Sequence, residues 1–287
     1  MRARWPPDVT ASYSQQPPFD DPRRILAMGG GGFTMPENDH SDALDRFVLE
    51  LTGKDVPRIC FLPTASGDPR DQVTRFHERF GGWPCEPSTL SLFHLGRDRV
   101  DPIDHILSQD ALYIGGGSMR NMLAIWREHG IDDAMRRAWE RGVVLAGLSA
   151  GAMCWFEGGV SMSGGRPEVV PGIGLLPGSL SVHLDGESER LPVYEEAVAT
   201  GALPAGFAAD DGAAVVYHGT RLAECVCSRR GARVVRVEPD GVGGAVASPQ
   251  PLRLLPHGVA GVPGAPTLEP YGVSEMRALR AGRHRWD

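Results

Sequence analysis

Five consecutive residues, Gly147-Leu148-Ser149-Ala150-Gly151, form the pattern G-x-S-x-G, in which a serine sits at the tip of a tight turn between a buried strand and a helix. The flanks fit that context. Residues 143–146 are the most apolar strand-like run in the chain, and residues 152–156 read as a helical run. A serine so placed points outward on a strained backbone, and its small neighbours let strand and helix approach. The chemistry this allows is nucleophilic acyl transfer. A glycine-rich turn that only packs closely is the competing reading, and the strand-before, helix-after context weighs against it.

A serine hydroxyl attacks poorly near neutral pH unless a base takes its proton, and histidine is the usual base because its pKa lies near the operating pH. Of nine histidines, His40, His77, His105 and His129 lie in polar or helical surroundings and read as solvated. His183 differs: it closes the short apolar run Leu180-Ser181-Val182 and is followed by Leu184-Asp185-Gly186, a strand end opening into a loop, where catalytic groups concentrate. On these residues alone, a structural or surface histidine remains the alternative.

An oxyanion formed by attack needs backbone N–H donors aimed at it. Ala150, directly after the serine, offers one. Gly116 or Gly117 offers a second, because Gly115-Gly116-Gly117 ends the apolar run 111–114, which is expected to lie parallel to the serine's strand. Another glycine run, Gly29 to Gly32, invites a nucleotide-binding reading. It lacks the G-x-G-x-x-G spacing and leads into Phe33-Thr34-Met35-Pro36, so close backbone approach at the sheet's edge fits better.

The elements that must position these groups alternate between short apolar runs, glycine turns and amphipathic stretches. Strands are expected at 25–28, 59–62, 89–93, 111–114 and 143–146, with helices at 41–51 (Ser41 as N-cap), 70–80, 118–129 and 131–141. The fold class is α/β, a mainly parallel sheet flanked by helices. Beyond about residue 158 the rhythm gives way to Gly- and Pro-rich loops, a helix near 189–200 and β hairpins at 213–217, 222–227 and 234–237. We divide the chain into a disordered lead at 1–22, a hydrolase domain at 23–240 and a C-terminal extension at 241–287 to which no role is assigned.

Composition narrows the partners. The chain of 287 residues has a formal charge of −7 and no block of Lys or Arg, which disfavours nucleic acid and anionic membrane surfaces. No apolar stretch approaches the roughly 20 residues needed to span a bilayer, and residues 1–22 lack the apolar core of a secretory signal. The cysteines at 60, 85, 154, 225 and 227 are odd in number and scattered, as reduced thiols in a cytoplasm would be. Cys225 and Cys227 are expected on one face of a strand.

Together these runs resemble the peptidase E (aspartyl dipeptidase) family, a relative of cyanophycinase with the class I glutamine amidotransferase-like fold. The likeness rests on Ile25-Leu26-Ala27-Met28-Gly29-Gly30-Gly31, Tyr113-Ile114-Gly115-Gly116-Gly117-Ser118, Gly147-Leu148-Ser149-Ala150-Gly151-Ala152, Gly174-Leu175-Leu176-Pro177 leading to His183, and Ala209-Asp210-Asp211-Gly212, in the family's order. The resemblance implies peptide hydrolysis through an acyl-enzyme on Ser149, with His183 as base, the two glycine-rich turns binding the oxyanion, and no metal or cofactor. Some family members carry an aspartate soon after the serine's helix, where this chain reads Ser161-Met162-Ser163-Gly164-Gly165. Others carry an acid later, and Asp211 matches that place, with Asp210 and Asp185 as alternates. The Asp-specific members have an arginine in a Gly-Glu-x-Arg run. Here the run is Gly186-Glu187-Ser188-Glu189-Arg190, a one-residue displacement that would turn the side chain by about 100° on a helix. Arg190 is thus a candidate for substrate binding, and a solvated helix-start arginine is the alternative. The resemblance admits a homodimer. Other readings are a cyanophycinase-like or other amide hydrolase, or an inactive binding protein on the same fold.

Overall fold

In a computed structural model the described residues are 21–34, 42–95 and 100–256. The lead-in residues 1–20, Ser41 and residues 257–287 lie outside them.

Among the described residues two sheets carry the molecule. The larger has the order β14-β11-β10-β1-β5-β4-β2-β3, where β1 is Arg24–Met28, β2 Arg58–Leu62, β3 Glu86–Thr89, β4 Ala111–Ile114, β5 Val144–Leu148, β10 Ala213–His218, β11 Arg221–Cys227 and β14 Leu252–Leu254. From β1 through β5, β4 and β2 to β3 every pairing is parallel, and β10 joins β1 antiparallel. The central strands are apolar without alternation because both faces are covered. Ile25 and Ala27 face one core, and Leu26 and Met28 face the other.

One face is closed by α1 (Ala43–Leu51) and α2 (Arg70–Phe80), whose Phe76 and Phe80 meet Phe33, Phe61 and Tyr113 in an aromatic cluster. The short α3 (Pro102–Leu107) precedes β4. The other face is covered by α4 (Met119–His129) and α5 (Ile131–Glu140). Helix α4 is capped by Ser118, which accepts from Asn121 N, and buries Met119, Met122, Leu123 and Trp126 at helical spacing. Gly130 ends α4 in the left-handed region at φ 66°.

The residue pattern foretold the strand at 234–237 and the strand end before His183, but not that they join four further strands in a second sheet. Its order is β13-β12-β9-β8-β6-β7, with β6 Phe156–Ser161, β7 Glu168–Pro171, β8 Leu176–Ser181, β9 Gly206–Ala209, β12 Val234–Pro239 and β13 Ala245–Pro249. Its outer face packs on α7 (Arg190–Ala199) through Tyr194, Ala197 and Val198.

Several local expectations shift. The helix after the serine, α6, is only Ala150–Met153, and Phe156 already opens a strand. The strand expected at 89–93 ends at Thr89. His105, expected to be solvated, is half-buried against Ser88 Oγ at 3.2 Å. The sheets also continue past residue 240: β13 pairs with β12, and β14 with β11. Cys225 and Cys227 do lie buried on β11, two residues apart.

Candidate active site

Three adjacent parallel strands deliver three loops to one edge. Strand β1 ends in the Gly29–Gly32 run, β4 in Gly115–Gly117, and β5, between them, in Ser149. At that same edge the chain crosses from β9 of the second sheet to β10 of the first through Asp210-Asp211-Gly212. His183 follows β8, the parallel neighbour of β9. The junction of the two sheets is therefore also where the chemistry-bearing groups meet.

Ser149 stands at φ 55°, ψ −117°, a conformation that costs a non-glycine residue of order 1–3 kcal/mol and persists only when its surroundings enforce it. Its N–H donates to Met28 O at 3.1 Å and its carbonyl accepts from Met153 N at 3.0 Å, so both sides of the turn are fixed. Gly151 is required by close packing, since a Cβ there would overlap the carbonyl of Ile114 in β4.

His183 Nε2 lies 2.9 Å from Ser149 Oγ, and Nδ1 lies 2.5 Å from Asp211 Oδ1. A carboxylate can only accept, so Nδ1–H donates to Asp211 and Nε2 is left to accept from the serine hydroxyl. The Asp211 side chain is 8% exposed and that of His183 19%, so solvent competes little for these bonds. The other two acids are engaged elsewhere. Asp210 accepts from Arg233 N at 2.8 Å, and Asp185 Oδ1 accepts from the main-chain N–H of Asp211 at 3.0 Å.

Gly116 and Gly117 line the cleft beside Ser149. A Cβ on Gly116 would come within 3.1 Å of Ser149 Cβ. Ala150 is the first residue of α6, so its N–H lies outside the helix ladder. Gly30, expected only to pack closely as one of a glycine run, faces Asp211 and His183.

Arg190 also reaches the cleft. It is 3% exposed rather than solvated, and it ion-pairs with Glu187. The expected 100° rotation does not apply because the run before Arg190 lies in turns, with Gly186 N and Glu187 N donating to His183 O and Arg190 N to Glu187 O, and Arg190 itself only opens α7. Thr34, Gln72, Ser161, Met162 and Ser163 complete much of the wall. Sequence reasoning did not single out Thr34 and Gln72, which nothing local marks, whereas Ser161, Met162 and Ser163 belong to the Gly- and Pro-rich stretch 158–174, whose composition admits a cover over the site.

Among the described residues no cysteine lines the cleft. Burial raises the pKa of all five cysteines, pushing Cys60 and Cys225 up to about 12.

Residues 25–225 match the model of peptidase family S51. The uncharacterized peptidase YgaJ of Bacillus subtilis (strain 168) is 45% identical over 215 residues, spanning 75% of this chain and 92% of that protein. The crystal structure of a peptidase from an acI-B1 actinobacterium superposes with a TM-score of 0.56 at 17% identity, covering 78% of this chain and 94% of that one. At that identity the likeness speaks for the fold.

Proposed function

The chain belongs to peptidase family S51, serine peptidases of the peptidase E type, and from that premise we propose that it hydrolyses dipeptides and other short peptides through an acyl-enzyme on Ser149. The observation that carries this reading is the continuous hydrogen-bonded chain from Asp211 through His183 to Ser149, at 2.5 and 2.9 Å.

Ser149 Oγ attacks the scissile carbonyl while His183 Nε2 takes its proton, and Asp211 holds the imidazole in the required tautomer and stabilises its positive form. The oxyanion is met by the N–H groups of Ala150 and of Gly116 or Gly117. His183 then protonates the leaving amine. Water, activated by the same base, releases the acyl group and restores the serine.

A cleft of about 80 Å³ favours a small substrate, since one water needs roughly 10–15 Å³ on this measure. Arg190 supplies a guanidinium suited to a substrate carboxylate. Glu187 beside it offsets that charge, which favours a tolerant preference for N-terminal Asp over a strict one. Five free cysteines, buried or partly so, support a reducing compartment such as the cytoplasm. Among the described residues no helix is long and apolar enough to cross a membrane.

The test is hydrolysis of a panel of X-Leu dipeptides, Asp-Leu included, by the wild type and Ser149→Ala. Cleavage that vanishes in the variant supports the reading. Full activity in Ser149→Ala would overturn the mechanism, and a wild type inert on every dipeptide would overturn the substrate class.

A further inference from the structure

Among the described residues Asp211 is the acid that meets His183, and it sits in the connection between two sheets rather than within a strand. Two side chains hold its main chain. The N–H of Asp211 donates to Asp185 Oδ1 at 3.0 Å, and its carbonyl accepts from Arg229 Nε at 2.8 Å. The two holding groups are themselves joined, Arg229 donating through a terminal nitrogen to Asp185 Oδ2. They come from different segments. Asp185 lies two residues after His183, in the loop that carries the base, and Arg229 lies just beyond β11. Ser228 N also donates to Gly212 O at 2.8 Å, tying the segment carrying Arg229 to the turn after Asp211.

We propose that Asp185 and Arg229 are positioning residues for the hydrolytic reaction, a closed clamp on the main chain of Asp211 that sets its carboxylate against His183; this rests on the reading of Ser149 as the nucleophile. Stability alone explains the arrangement poorly. The Arg229 and Asp185 side chains are 37% and 32% exposed, and ion pairs so open to solvent contribute little to stability. Geometry explains it better, because the Asp211–His183 hydrogen bond depends on where the Asp211 main chain sits, and a displacement near 1 Å can lower a rate by about 100-fold. Arg229 spans a carbonyl and a carboxylate at once through its planar fork, which a lysine ammonium cannot reproduce. Asn at 185 would keep an oxygen acceptor for the Asp211 N–H and lose the charge.

The experiment measures two rates on the full chain: turnover of the best-cleaved X-Leu dipeptide, and covalent labelling of Ser149 by diisopropyl fluorophosphate, in which the serine oxygen bonds to phosphorus and fluoride leaves. Arg229→Ala and Asp185→Ala are expected to lower kcat and the labelling rate by about 10- to 100-fold, with KM changed less than about threefold. Asp185→Asn should recover only part of the rate, because its amide keeps an acceptor for the Asp211 N–H but offers Arg229 a donor in place of Oδ2, and Arg229→Lys should recover little. In an Asp211→Asn background, Arg229→Ala should cost almost nothing more, because the clamp acts only through that carboxylate. Wild-type rates in the single variants, or an undiminished further loss in the Asp211→Asn background, would overturn the clamp. Should Arg229→Ala or Asp185→Ala fail to fold, the Asp185→Asn and Arg229→Lys pair decides by the same comparison. A wild type that labels rapidly but cleaves no dipeptide refutes the substrate class and leaves the clamp testable through labelling; a wild type that does not label refutes both.

Discussion

The α-carbon of Gly30 faces the carboxylate of Asp211 so closely that a Cβ at residue 30 would overlap Oδ1 and come within 2.9 Å of His183 Cε1. The glycine run after β1 thus leaves the space in which an acid from one segment and an imidazole from another meet. Its φ is not in the left-handed region, so the requirement is for room and not for an unusual backbone.

Gly30→Ala therefore tests the site without touching any group that reacts. We expect a fall in kcat of about 100-fold or more, comparable with a misplacement near 1 Å, in a protein that still folds. Steady-state kinetics beside circular dichroism would check it, and wild-type kcat in a folded variant would contradict the packing described.

Ser149 carries backbone strain that glycine would relieve. Ser149→Gly is expected to raise stability by about 1 kcal/mol, the relieved strain exceeding the entropy cost of glycine, while Ser149→Ala, which keeps a Cβ at φ 55°, should show no such gain. Both should lose activity by orders of magnitude. Urea midpoints of the three proteins measure the first part and dipeptide hydrolysis the second.

Arg190 is expected to discriminate among substrates. If it binds a substrate carboxylate, Arg190→Met should lower kcat/KM for Asp-Leu by about 10- to 100-fold more than for Ala-Leu, the difference expected of a charge-assisted hydrogen bond worth about 1.5–3 kcal/mol. Equal losses on both dipeptides would mean that the residue serves the fold and not recognition.

Asp45, on α1, is fully buried and accepts from Tyr113 Oη at 2.9 Å. Burial pushes its carboxyl up from 3.8 to about 7, only partly opposed by the charge of Arg79 and the Tyr113 hydrogen bond. The folded state then holds a proton that the unfolded chain releases, so this residue's contribution is fully present below about pH 4 and is lost as pH rises through 7. Holding a carboxyl protonated costs about 1.4 kcal/mol for each pH unit above its unfolded pKa, so the loss is on the order of a few kcal/mol. Asp45→Asn should match the wild type near pH 4 and be the more stable protein at pH 8, as urea unfolding at the two pH values would reveal. A variant less stable than wild type at pH 8 would refute the sign.

Much of the first sheet was legible because its signals are local. Ile25 to Met28 and Val144 to Leu148 are continuous apolar runs, which strands covered on both faces must be. Glycine turns follow them, and Ser118 and Gly130 bracket α4 as caps. The second sheet was legible only in part, at 234–237 in β12 and at the strand end before His183 in β8. Strand β6 reads Phe-Glu-Gly-Gly-Val-Ser and β8 Leu-Pro-Gly-Ser-Leu-Ser, and glycine and proline there look like loop until a neighbouring strand supplies the ladder. Strands β13 and β14, in a Pro-containing stretch beyond residue 240, were missed for the same reason.

The sequence by itself determined the family, the G-x-S-x-G turn with Ser149, and the glycine-rich loop carrying Gly116 and Gly117, since each is written in contiguous residues whose types admit few other backbones. Only the tertiary structure decided that Asp211, and neither Asp210 nor Asp185, meets His183, and that Arg190 turns into the cleft beside Glu187. The three acids are alike in composition and lie in similar turns. What separates them is where two sheets join, and that depends on pairings between strands distant in the chain, such as β1 with β10 and β8 with β9, which no local pattern encodes.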